Sequence, residues 1–449
     1  MAAAAFASWM LSQEARALLT RLGLIKPFVL QETMVPAAAL STAAQTAIES
    51  YLLEGRRVLR RQILQFLEWL DTPEGRQASP AEAQKRFVLL RLRFNVVLSQ
   101  FDLFNEAMSQ RSEAETGVWL AGLDVAAQDA LALPGYFEPP PVVCYLARGP
   151  GAAIRRARTR LPGGGDNPVA IIRIPRERMI GSGIASSLIH EVGHQGAALL
   201  ELLPSLREAV QAEPRSVGSE DTAWRLWERW LSEIIADLWS VARVGVTSTL
   251  GLLAVVSLPR AFVFRPNFDD PHPSPWVRVK LSCALGDALY PHPQWGRLSR
   301  LWEQFYPTEG LGAERRAHLA AMEQSMPRFV ELLLSHRPER LRGRSLAQAL
   351  LMKEERQPAR LGALYREWRA APALMRGASP SLVFAVLGQA RANGTITPEE
   401  EGKALAELLR YWALRSTLDT SAECAAHVRQ AGREAALRLS PPFQQAFND

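Results

Sequence analysis

IGSGIASSLIHEVGHQGAALL, residues 180–200, is the stretch on which the reading of this chain turns. From Ser186 to Leu200 it holds no proline and is rich in helix-compatible residues, so a helix is expected there. On that helix His190 and His194 are four positions apart and project from one face, one turn above the other. Two imidazoles so placed can bind one tetrahedral metal at about 2.0–2.1 Å. Glu191 lies roughly 100° round the helix, where it can act on water at the metal without being a ligand. Gly193 costs helix propensity inside the motif, which a close approach of another backbone explains.

The chain has seven histidines in 449 residues. At that frequency an HExxH arises by accident in roughly one such chain in a hundred, and two incidental histidines are the alternative reading. A third ligand shifts the balance. Residues 219–243, SEDTAWRLWERWLSEIIADLWSVAR, read as one helix, with Ser219 as its cap and Glu220 and Asp221 in its positive first turn. Trp224, Trp227, Trp230, Leu231, Ile234 and Leu238 form its apolar face. Glu233 and Asp237 share another face, so Glu233 can complete a His2Glu site with an open fourth position. Asp237, one turn on, is placed to accept the other ring N–H of a ligand histidine. The rival reading of this acidic pair is a solvated stripe.

HEVGH followed by EIIAD resembles the gluzincin metallopeptidases, in which HExxH is completed by the glutamate of an ExxxD helix. The resemblance implies a zinc-dependent peptidase with His190, His194 and Glu233 as ligands, Asp237 behind them and Glu191 as general base. It also implies a zincin-like core in which Val169–Ile174 is the edge strand that holds an extended peptide. Asp270-Pro271-His272-Pro273-Ser274-Pro275-Trp276-Val277-Arg278 is similar to the THPP…R element of HtpX-like and CaaX-type proteases, which implies that His272 and Arg278 face the cleft and that one or the other stabilises the oxyanion. Tyr290 and His292 are weaker candidates for that role. The resemblance covers about residues 165–280, and the chain departs from those proteases in lacking convincing membrane spans.

The remaining sequence frames this core. A hydrophobic content of 48% and a charged content of 22% are ordinary globular values, and the length suits two or three domains. A chain of this size buries a core without a structural metal, so a metal site here is expected to be catalytic. The helical stretch Ala43–Leu70 ends at Asp71-Thr72-Pro73. Ser79-Pro80-Ala81-Glu82 then starts a helix, with a serine cap, proline first and the glutamate reaching back. Phe87, Leu90, Phe94, Val97, Phe101, Phe104 and Met108 follow in three-four alternation, a seam built to pack against another helix. β-like runs appear at Val142–Leu146 and Val169–Ile174. Between them the basic stretch Ala147–Asn167, with Arg155, Arg156, Arg158, Arg160 and Gly163-Gly164-Gly165, lacks a phosphate-loop pattern and reads as a solvated hairpin loop. The chain is helical again after about residue 300, with Thr397-Pro398-Glu399-Glu400 as a further helix start.

The expected fold is mainly α with a small β-sheet: a helical bundle over 1–134, a zincin-like core over 135–300 and a helical region over 301–449. The net charge of +6 is mild, so a nucleic-acid partner is not expected, although an arginine-loop binder stays open as a third class. Cys144, Cys283 and Cys424 form no CxxC pair and read as small buried residues of a reducing compartment. The arginine-rich, lysine-poor, alanine- and leucine-rich composition reads as bacterial codon bias. The N-terminus lacks the basic start of a secretory signal, and Val244–Pro259, the longest uncharged run, is too short for a comfortable span. A cytoplasmic protein acting on a peptide or protein substrate is expected, with delivery as an effector compatible. Oligomeric state stays open, since the phenylalanine seam suits packing within the chain or against a second copy. The alternative function is a helical scaffold whose zinc site is structural or vestigial.

Overall fold

Serine and threonine caps open several helices of this chain, with proline next at Ser79 and Thr397, and the hydroxyls of Ser41, Ser79 and Thr397 each accept a backbone N–H. Ser41 accepts from the Ala44 N–H, Ser79 from the Glu82 N–H at 3.2 Å, and Thr397 from the Glu400 N–H while Glu400 reaches back to the Thr397 N–H. At Ser79 the return bond is not among those formed: Glu82 stands 3.6 Å from Arg86 instead. The computed structural model describes residues 3–30, 33–148, 151–161, 165–176, 181–214, 218–265, 270–351 and 355–439. It is 74% helical with one small mixed sheet, a mainly α protein.

Helices α1 (Ala3–Leu24), α2 (Thr42–Asp71), α3 (Pro73–Gln77), α4 (Pro80–Ser109) and α5 (Ala114–Leu131) come first. The phenylalanine seam of α4 finds its partners inside the chain. Phe87, Leu90 and Phe94 meet Leu59, Ile63 and Phe66 of α2 and Leu11, Leu18 and Leu22 of α1. Phe101, Phe104 and Met108 meet Ile48 and Leu52 of α2 and the sheet residues Val143, Tyr145 and Ile171.

Strands β1 (Val142–Ala147), β2 (Ala153–Arg155) and β3 (Ala170–Pro175) form a sheet ordered β1-β3-β2. β1 runs parallel to β3, with Val142 opposite Ala170, and β2 runs antiparallel to it, with Ala153 opposite Arg173. This corrects the expected edge strand: the run at 169–174 is the central strand, because part of the basic stretch taken for a loop folds back and pairs with its free side. Arg158 N–H to Asn167 O (2.8 Å) and an Arg160–Asp166 bridge close that arm; Gly163 and Gly164 lie outside the described residues. Both faces of the sheet are covered, hence its near-continuous apolar runs. Val143 and Ile171 face the N-terminal helices, whereas Cys144, Ile172 and Ile174 join the largest core.

That core extends from Leu120 to Trp412. It is built on α6 (Ser182–Leu199), α7 (Leu202–Ala212), α8 (Ser219–Arg229), α9 (Leu231–Val244), α10 (Val246–Val256), α11 (Arg260–Val263), α12 (Pro275–Leu289), α13 (Pro293–Phe305) and α14 (Ala313–Ser335). Helices α15 (Leu346–Leu350), α16 (Pro358–Ala370), α17 (Pro372–Gly377), α18 (Pro380–Ala392) and α19 (Pro398–Leu439) complete it. The uncharged run is α10, largely buried, and no described helix is long and apolar enough to cross a membrane. Cys144 and Cys283 are buried and free; the Cys424 side chain lies outside the described residues.

The single helix expected over 219–243 is two. Trp230 (φ −91°, ψ 4°) leaves the helical path between α8 and α9, and Gly218 (φ +119°), not Ser219, precedes the first helical residue. The break separates two packing tasks. Trp227 stacks on Phe329 of α14, ring centroids 4.7 Å apart, while α9 turns its carboxylates towards α6.

Candidate metal centre

α6 and α9 lie in unusually close contact, and glycine is the reason. A Cβ on Gly193 would stand 2.7 Å from Ala236 Cα and 2.9 Å from Trp239 Cβ. One on Gly196 would stand 2.6 Å from the Trp239 indole ring. The bare backbone of α6 therefore seats α9, as the glycine inside the motif implied.

His190 and His194 extend from α6 with ring centroids 4.9 Å apart and planes at 87°. From α9 Glu233 meets both: Oε2 is 3.1 Å from His190 Nε2 and Oε1 is 3.5 Å from His194 Nε2. One donor atom from each of the three residues lies within 4.8 Å of the other two. Donors around a tetrahedral ion at about 2.0–2.1 Å stand about 3.4 Å apart, so this set fits. His190, His194 and Glu233 form a group that can hold a metal ion.

Asp237 has the place its spacing implied. Its Oδ1 accepts from His190 Nδ1 at 2.8 Å, so the protonated ring donates its Nε2–H to Glu233, and a neutral ring held this way would offer the Nε2 lone pair to a metal ion. Arg278 of α12 lines the cleft, as expected, and its guanidinium is engaged there by Asp237. It forks onto Asp237, Nε to Oδ2 at 2.7 Å and Nη2 to Oδ1 at 2.8 Å, with both side chains nearly buried. Its planar donor pair matches a carboxylate, and that geometry commits the guanidinium. His194 Nδ1 has Ser232 Oγ at 3.4 Å.

His272 reaches the centre from the loop before α12. Its Nε2 is 3.1 Å from Glu233 Oε2, and the Asp270 carboxylate accepts from both its Nδ1 (2.7 Å) and its backbone N–H (3.0 Å). Tyr290 and His292 take no part. The Tyr290 side chain is fully buried with its hydroxyl on Ala242 O at 2.6 Å, and His292 Nδ1 accepts the Gln294 N–H at the start of α13. A tyrosine closing a core contact and a histidine capping a helix are both committed to structure.

Three imidazoles thus converge on one largely buried carboxylate. Burial raises the Glu233 pKa, but the hydrogen bonds from His190, His194 and His272 override it and hold the group well below the usual carboxylate range. For Asp237 burial is likewise outweighed, by the charge of Arg278 and then of His190, and its pKa is lowered. Burial pulls His190 down, yet the charge and hydrogen bond of Asp237 raise it to about 9. The hydrogen bond to Glu233 raises His272. An anion so enclosed demands positive charge at this point, from protons on the rings or from a cation.

Glu191 faces the same small cleft, of about 170 Å³, with Gly151, Ala152, Ser187, Leu252 and Val255 among its lining residues. Burial is the main influence on Glu191 and raises its pKa. Asp270 and Ser232 were not singled out from the sequence. The signal for Asp270 was present in Asp-Pro-His, since an aspartate two residues before a histidine can bond both its backbone N–H and its ring; nothing in the sequence marks Ser232. The chain matches no family model, no curated protein and no solved structure.

Proposed function

We propose that this chain is a zinc-dependent metallopeptidase of gluzincin type. The observation that carries the reading is the joint presence of a His2Glu donor set, an aspartate orienting one ligand ring, and a buried glutamate at the same cleft. Zinc bound by His190, His194 and Glu233 supplies Lewis acidity, polarising the scissile carbonyl and lowering the pKa of water towards about 7. Glu191 accepts a proton from the attacking water and delivers it to the leaving amine nitrogen. Its raised pKa suits that exchange, because the protonated carboxyl is a competent acid nearer neutral pH. His272, oriented by Asp270, is the donor for the developing oxyanion, and Arg278 acts at one remove by holding Asp237. Gly151 and Ala152 border the cleft, so the outer strand β2 takes the peptide-holding role first assigned to β3.

Glu191→Gln and His194→Ala test the reading together. The expected result is that Glu191→Gln keeps stoichiometric zinc and loses peptide cleavage, while His194→Ala loses both. Cleavage by Glu191→Gln at the wild-type rate would refute the mechanism.

A second reading, a helical scaffold with a closed metal site, is favoured by one contact. His272 Nε2 stands 3.1 Å from Glu233 Oε2, close enough to supply a fourth ligand. In that case His272→Ala weakens metal binding sharply; for the peptidase it leaves metal stoichiometric and lowers turnover by about 100- to 1,000-fold.

A further inference from the structure

A second cleft, of about 710 Å³, opens at the end of the sheet and is lined by Tyr145, Arg148, Arg173, Arg176 and Glu106 among others. The strand register explains the gathering. Arg173 of β3 lies between Tyr145 of β1 and Ala153 of β2, so these three form one row across the sheet. Arg155, two positions along β2 from Ala153, is on the same face. Arg148 and Arg176 follow the last residues of β1 and β3, which run parallel and therefore end together. Arg148, Arg155 and Arg176 are exposed and Arg173 is half-buried.

Among the described residues, none of these four guanidinium groups makes an ion pair. Their fields are nonetheless felt at the cleft wall. Burial and the Glu106 charge push the Tyr145 phenol up, and Arg173 and Arg155 draw it back. Three arginines face one carboxylate in the cleft, a net positive surface with Glu106 as its only anion among the lining residues.

The position matters as much as the charge. Ala152 lines the metal cleft, and the next residue, Ala153, is the cross-strand partner of Arg173. Neighbouring strands are about 4.8 Å apart, and an extended chain advances about 3.3 Å per residue. Arg155 and Arg173 point to the sheet face opposite α6, and a peptide paired along the free edge of β2 projects alternate side chains to both faces, so one near the metal cleft can turn a side chain towards the arginines.

We propose that this cleft receives an aspartate or glutamate side chain of the peptide substrate and selects segments acidic a few residues from the cleaved bond. The proposal rests on the peptidase reading for the word substrate, whereas the binding itself does not. Guanidinium forks match carboxylates, and Glu106 limits the positive charge to what one or two carboxylates neutralise. A nucleic acid fits less well, since Tyr145 is largely buried and no exposed aromatic lines the cleft for base stacking.

The test is fluorescence anisotropy with a labelled peptide of about ten residues bearing several glutamates, and with its glutamine counterpart, on metal-free full-length protein. The expected result is binding of the acidic peptide about tenfold or more tighter than its counterpart, lost in Arg173→Gln/Arg176→Gln. Glu106→Gln, which removes the competing anion from an exposed position, should tighten acidic binding; this gain cannot come from misfolding. Equal binding of the two peptides, no response to these variants, or stronger binding of a single-stranded oligonucleotide of equal length would overturn the proposal. Charge-selective binding without cleavage by the zinc-loaded wild type would refute the peptidase reading and leave the cleft as an acidic-peptide site. Cleavage with no charge selectivity would refute the cleft alone.

Discussion

Gly193 and Ala236 meet backbone to backbone: a Cβ on the glycine would stand 2.7 Å from Ala236 Cα and 2.9 Å from Ala236 O. This contact sets the separation of α6 and α9, and it brings Glu233 Oε2 within 3.1 Å of His190 Nε2. The three residues that can hold a metal ion belong to two helices, so their geometry is a property of the interface between them.

Gly193→Ala tests that dependence. Alanine gains about 1 kcal/mol of helix propensity over glycine, but the atoms it meets are the Ala236 backbone and the Trp239 Cβ, which no rotamer change moves away. Overpacking of this kind costs about 1–3 kcal/mol. The expected outcome is a lower thermal midpoint together with weakened zinc binding, read by calorimetry and by metal analysis of the purified variant. A variant with unaltered zinc affinity would show that the centre tolerates a wider helix pair.

Asp237→Asn replaces the charged acceptor that orients His190 by a neutral amide, which can turn an NH2 to the ring, and removes the anion that neutralises Arg278. Loss of such a carboxylate behind a ligand typically lowers metal affinity 10- to 100-fold, so a drop of about that size is expected in competition with a chromophoric chelator. Breaking a nearly buried ion pair typically costs about 3–5 kcal/mol, so the metal-free protein should also lose stability in urea titration.

Phe104→Ala probes the apolar cluster on the other face of the sheet. Phe104 is buried between α2, α4 and the sheet, in a cluster separate from the core around the metal centre. The truncation is expected to cost about 3–5 kcal/mol in denaturant unfolding. Zinc stoichiometry of the folded variant should be unchanged.

His318 and His336, near the start and at the C-terminal end of α14, give a pH dependence independent of the metal. Burial lowers both below the ordinary histidine value of 6.5, and His336 Nε2 is 2.9 Å from Ser205 Oγ. The unfolded chain therefore binds more protons than the fold does once the pH falls through 6.5. Their contribution to stability is complete above that value and is lost on acidification towards the depressed folded values. His336→Gln should flatten the decline in unfolding midpoint between about pH 7 and about pH 5, with little change at about pH 8.

Helices, their starts and their buried faces were legible because they follow from local chemistry. The Ser79 hydroxyl cap, the full reciprocal cap at Thr397 and the apolar seam of α4 behave as short-range patterns require, whereas the glutamate after Ser79 turns to Arg86. The break at Trp230 was not legible, because every residue from 219 to 243 is compatible with a helix. Competition between packing on Phe329 and presenting Glu233 to α6 accompanies the division, and both partners are distant in sequence.

From the sequence alone came the helix faces that carry His190 with His194 and Glu233 with Asp237, since a period of 3.6 residues makes such pairs coincide wherever the helix lies. Tertiary structure alone decided what meets those faces. It placed β3 at the centre of the sheet, gave Arg278 to Asp237, brought His272 to Glu233 on its Asp270 support, and kept Tyr290 and His292 away. The reason is physical: lateral pairing of strands and docking of loops depend on contacts between residues far apart in the chain, and no local period records which partner arrives.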